Sequence, residues 1–131
     1  MRRSVGVSAD CYAIEQELQL DEYTITLEEF RTVAKWYVGK LSLPIVMLEV
    51  GRVTKWRHAT YYAGSAGKAP RIIINSDGYN LATAVHELAH HYQRVKPLAF
   101  SGRHGHHGAD FHYSHKKLLD LVPELFKAKW S

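Results

Sequence analysis

With 131 residues, 46% hydrophobic and 23% charged, the chain has the size and apolar content of one compact domain over residues 1–131, which excludes general disorder. Net charge is +4 with nine histidines uncounted; the basic residues are scattered (Arg52, Lys55 and Arg57; Arg94 and Lys96; Lys116 and Lys117), a solvated surface that admits nucleic acid as a partner without requiring it. No apolar run of about 18 residues occurs, and the single Cys11 allows neither an internal disulfide nor a Cys-rich zinc site.

No continuous apolar stretch follows Arg2 and Arg3, so a secretory leader is not expected. The expected location is intracellular and cytoplasmic, or nuclear or nucleoid if DNA is bound, with no membrane partner. Residues 1–22 are the least legible segment; the pattern allows a short helix around Ile14–Leu20.

The first clear helix starts at Thr26, where Thr26-Leu27-Glu28-Glu29 fits a capping box. Leu27, Phe30, Val33, Ala34, Tyr37 and Val38 then recur at helical spacing, and Gly39 is the expected stop. After Pro44, residues Ile45–Val50 read as a strand. Two more strands are expected over Ala59–Ala63 and Arg71–Asn75, the three forming a small, mostly antiparallel sheet. Tyr61 and Tyr62 alternate, so one of them should face the core. Trp56, flanked by Lys55 and Arg57, reads more simply as a half-buried aromatic on a basic hairpin than as a base-stacking residue.

Asn80 is placed to cap a helix running to about Val95, before Pro97. Leu81, Val85, Leu88, Tyr92 and Val95 share its core face, with His86 and His90 on the opposite side. A Gly- and His-containing loop follows over residues 97–107. The last helix is expected over Ala109–Val122, ended by Pro123, with Phe111, His115, Leu118, Leu119 and Val122 facing inward. His91, His112 and His115 read as structural, His115 as a satisfied core histidine. The fold class is therefore α+β: an N-terminal helix, a three-stranded sheet, a histidine-bearing helix and a C-terminal helix.

The chemistry concentrates in His86-Glu87-Leu88-Ala89-His90, an H-E-x-x-H sequence. Side chains four apart are neighbours on a helix, so both imidazoles can reach one ion, while Glu87 projects from an adjacent direction toward water held there. Zinc in such a site keeps one position open and brings the pKa of its water to roughly 7, which makes Glu87 the natural general base. A third protein ligand is needed. The spacing H-E-x-x-H-x-x-G-x-x-H fails because Gln93 and Lys96 occupy the required positions, and Glu124 lies beyond Pro123. The loop offers His104, His106 and His107. An extended substrate is expected along a sheet edge, for which Arg71–Asn75 is the candidate; Tyr113, His112 and His104 are candidate oxyanion donors.

His86-Glu87-Leu88-Ala89-His90 followed by His107-Gly108-Ala109-Asp110-Phe111 resembles the signature of the SprT-like (Spartan-type) zinc metallopeptidases: H-E-x-x-H, a variable loop, then H-G-x-x-F opening the next helix. The likeness covers about residues 71–122. It implies a zincin-like domain with one zinc per chain, His86, His90 and His107 as metal ligands, Phe111 packing the helix start, and protein or peptide substrates. Many members of that family carry a Cys-rich zinc ribbon after the protease core, which one cysteine does not build. Asp110 reads as an N-terminal charge favoured by the helix dipole or as a support for the His107 ring. The alternative from another class is a zinc-stabilised nucleic-acid-binding or protein-interaction module without turnover; the carboxylate of Glu87, which a purely structural site does not need, argues against it.

Overall fold

A computed structural model describes residues 9–51, 59–64, 67–74, 80–96 and 109–128, leaving aside the side chains of Asp21, Ala109 and Asp110. The first helix, α1, runs Ala9–Leu18, earlier than the Ile14–Leu20 expected. Its buried positions are Cys11 and Glu15, four apart on one face. That face packs on the helix beginning at Ala109. Ile14 and Leu18 pack partly buried against the same core, but with a thiol and a carboxylate at the two buried positions the apolar stripe is weak. Leu20 lies in a short 3-10 turn over Leu20–Glu22 and is fully buried.

The second helix, α2, spans Leu27–Leu41. Its capping box forms as expected: the Glu29 N–H donates to the Thr26 hydroxyl at 3.1 Å, and the Thr26 N–H donates to the Glu29 carboxylate at 2.8 Å. Phe30, Val33, Ala34 and Tyr37 face the core. Gly39 does not end the helix. Its Cα lies where an added Cβ would meet nothing within 4 Å, and it stays in the helix. The stop comes at Ser42, in left-handed geometry at φ 55°, whose N–H donates to the Val38 carbonyl.

Three strands follow, β1 over Met47–Val50, β2 over Ala59–Tyr62 and β3 over Arg71–Ile74. Their order is β1-β3-β2, with β1 parallel to β3 and β2 antiparallel to it. The sheet is thus mixed rather than mostly antiparallel. Only β2 and β3 are neighbours both in sequence and in space; β1 reaches β3 by a crossover, which makes that pair parallel. β3 is consequently the central strand, paired on both sides, and cannot be the edge that the sequence reading assigned to it. Gly64, at φ 86°, lies in the connection from β2 to β3, where a Cβ would come within 2.6 Å of the Lys68 carbonyl oxygen. Trp56 with Lys55 and Arg57, expected on a basic hairpin, lies outside the described residues.

The third helix, α3, spans Leu81–Val95 as expected, and the Asn80 side chain accepts from the Thr83 N–H at 2.8 Å. Its first turn is also fastened by the Leu81 N–H, which donates to the Tyr23 carbonyl at 2.9 Å. At its other end the Lys96 ammonium donates to the Leu41 carbonyl at 2.9 Å. It packs on β2, α2, the 3-10 turn and, most extensively, the helix from Ala109. It is therefore more deeply embedded than a two-faced helix would be: Ala82, Ala84, Glu87, Ala89 and His91 are buried beside Leu81, Val85, Leu88 and Tyr92.

The final segment is two helices, α4 over Ala109–Asp120 and α5 over Val122–Ala128, separated at Leu121. Pro123 does not end a helix. It lies in the first turn of α5, where a missing N–H and a fixed φ are tolerated. Phe111, Leu118, Leu119, Val122 and Leu125 complete the core with α2 and α3. No described helix is long and apolar enough to cross a membrane.

Candidate metal centre

His86 and His90 lie one helical turn apart on α3, with ring centroids 5.1 Å apart and rings nearly perpendicular. Both are half-buried. The face expected to be open is partly roofed by α4. Phe111 stacks on His90 at 4.3 Å with an interplanar angle of 28°, and its ring lies 5.0 Å from that of His86. His115 meets His86 edge-on at 5.3 Å. The helix register produces this directly, because Phe111 and His115 are four apart on α4, as His86 and His90 are on α3. Glu87 is 8% exposed, so its carboxylate is held almost wholly out of solvent on α3.

Tyr61 of β2 also lies near His90. Its ring is nearly parallel to that of His90, at 10° and 6.5 Å. Its hydroxyl lies 2.8 Å from His91 Nδ1, and His91 Nε2 lies 2.8 Å from the Pro44 carbonyl oxygen. Burial pushes the Tyr61 phenol up to about 12, against the opposing pull of Arg94. Burial also lowers the His91 pKa, the Pro44 carbonyl opposing it. His91 is thus structural, as expected, and Tyr61 rather than Tyr62 is the inward tyrosine of β2. Nothing in the sequence pattern ties Tyr61 to His91, which lie 30 residues apart.

Behind His86 is a second polar group. His115 is completely buried, with Nε2 3.4 Å from the Glu15 carboxylate. His115 is thus a core histidine, as expected, but neither of its ring nitrogens makes a well-aligned hydrogen bond, and its partner is the Glu15 carboxylate. Burial alone would lower its pKa, but Cys11 and Glu15 beside it raise it above the ordinary histidine value. His112 is half-buried, with Nδ1 4.0 Å from the Cys11 thiol. Tyr113 is 48% exposed. Glu124, excluded as a ligand from its position in sequence, pairs with Lys40 at 2.7 Å.

The structure therefore pairs His86 with His90 on α3, and buries Glu87, which lies between them in sequence. His107, like His104 and His106, lies outside the described residues, as does the side chain of Asp110. Among the described residues no three His, Cys, Asp or Glu side chains close a metal site by themselves. The two imidazoles on α3 are donors of the kind zinc takes, and a site of three protein ligands would need one more. No family model, curated protein or solved structure matches the chain.

Proposed function

We propose that the chain is a zinc-dependent metallopeptidase of the SprT-like, zincin-like kind, hydrolysing peptide bonds in protein substrates. The observation that carries this reading is the pairing of the His86 and His90 rings at 5.1 Å on one helix, with the carboxylate between them in sequence almost wholly buried. The donor chemistry fits: His86 and His90 from α3 with His107 from the following loop would hold one zinc and leave a position open. Bound there, zinc would supply Lewis acidity and acidify water.

The chain's own residues divide the remaining work. Glu87 would take a proton from the attacking water, whose oxygen adds to the scissile carbonyl carbon, and return it to the leaving amine nitrogen as the C–N bond breaks. Phe111, stacked on His90, fixes that imidazole and excludes water from one of its faces. β2 pairs only with β3 among the described strands, so its other side carries backbone N–H and C=O groups suited to an extended chain. It lies beside α3, whereas the other edge strand, β1, does not pack on that helix among the principal contacts.

The test is cleavage of an unfolded protein by wild type and by Glu87→Gln, with zinc content measured in both. The variant should keep its zinc and lose at least about a hundredfold in rate, as removal of a general base does. Cleavage at the wild-type rate by that variant contradicts the mechanism. Salt-dependent DNA binding with no proteolysis by the wild type points instead to a binding module.

A further inference from the structure

His91 is fully buried, and both of its ring nitrogens are engaged. A carbonyl oxygen only accepts, so the Nε2 atom 2.8 Å from the Pro44 carbonyl carries the proton. Nδ1 is then a lone pair, and the Tyr61 hydroxyl 2.8 Å away donates to it. A directed chain of two hydrogen bonds thus joins β2 to α3 and α3 to the segment entering β1. The phenol proton is committed to this chain and is not a spare donor to a bound substrate.

Two geometric consequences follow. His91 adjoins His90 on α3, about 100° further round the helix, so pinning the His91 ring at both nitrogens fixes the rotation of α3 and with it the aim of His90. At the other end, Tyr61 holds its strand against that helix, its ring within 10° of the plane of His90. The two partners of Tyr61 are thus consecutive residues, one buried for anchorage and one half-exposed in the site.

We infer that Tyr61 is a positioning residue: through His91 and the Pro44 carbonyl it sets the β2 edge at a fixed height beside His90, where an extended chain paired to β2 would cross the His86–Glu87–His90 face. The role assigned to that edge rests on the peptidase reading; the clamp itself does not.

The experiment compares Tyr61→Phe with wild type and with Tyr37→Phe, which loses an equally short buried hydrogen bond, to the Leu118 carbonyl at 2.7 Å, outside the Tyr61–His91–Pro44 chain. Amide hydrogen exchange in Ala59–Tyr62 reads the clamp, the visible spectrum of added cobalt(II) reads the His90 geometry, and kcat and KM on an unfolded protein read the edge. In Tyr61→Phe the β2 amides should exchange roughly tenfold faster, the equivalent of one lost buried bond. The cobalt bands should shift, and kcat should fall about tenfold or more with KM little changed, because the edge is misplaced rather than lost. Tyr37→Phe should shift neither the bands nor the β2 exchange selectively. Wild-type β2 exchange and cobalt bands in Tyr61→Phe, or an equal shift in Tyr37→Phe, overturn the assignment. Faster β2 exchange and shifted bands with no cleavage by either protein uphold the clamp and contradict the peptidase reading.

Discussion

Glu15 of α1 and His115 of α4 face each other at 3.4 Å inside the core, each almost completely removed from solvent. A buried pair of this kind is costly to break and cheap to replace, because removing one partner strands the other without water. Glu15→Ala should therefore lose about 3–5 kcal/mol, whereas Glu15→Leu with His115→Leu should come within about 1 kcal/mol of wild type or exceed it. Urea unfolding of the single and double variants decides this. Additive losses would mean that the two groups are not coupled.

The hydroxyl of Tyr37 donates to the Leu118 carbonyl at 2.7 Å, tying α2 to α4. Tyr37→Phe should cost about 1 kcal/mol at neutral pH, the usual net value of one buried hydrogen bond. Burial raises the pKa of Tyr37 far above the ordinary tyrosine value and that of Tyr61 to about 12. A raised folded-state pKa means that the folded protein holds its proton longer than the unfolded chain. The associated stability is full below about pH 10 and is lost as pH rises through the folded-state values. Urea midpoints should hold up to about pH 9.5 and drop between about pH 10 and pH 12, and drop less in Tyr37→Phe. A pH-independent midpoint over that range would contradict the burial of both phenols.

Two polar contacts that look alike on distance should differ in worth. The Asn80 side chain satisfies the Thr83 N–H at 2.8 Å at the start of α3, so Asn80→Ala should cost about 1 kcal/mol. The Lys40–Glu124 pair at 2.7 Å joins two side chains about half exposed, and Lys40→Ala should change stability by less than about 1 kcal/mol. Thermal unfolding of both variants provides the check; a larger loss from Lys40→Ala would reverse the ranking.

Much of this arrangement was legible where one local signal dominated. The capping box at Thr26, the Asn80 cap and the i, i+4 spacing of His86 and His90 are short-range patterns, and each determines its geometry within one turn of helix. Strand order was not legible: that β3 is central depends on the crossover from β1, which no residue in β3 encodes. Pro123 was misread for a related reason, since a proline marks a helix start as readily as an end and only packing of Val122 and Leu125 decides. The tyrosine beside His90 and the carboxylate beside His115 come from elements distant in sequence. Glu15 is unread in the sequence and Tyr61 is not distinguished from Tyr62, because burial of Glu15 and the link of Tyr61 to His91 depend on partners that tertiary packing supplies.

The most direct measurement is zinc content of the purified chain beside His86→Ala, His90→Ala and His107→Ala, each checked for folding by far-UV circular dichroism. Wild type should hold close to one zinc per chain, and each folded variant should lose at least about tenfold in zinc affinity. Wild-type affinity in folded His86→Ala and His90→Ala would contradict a metal centre on α3.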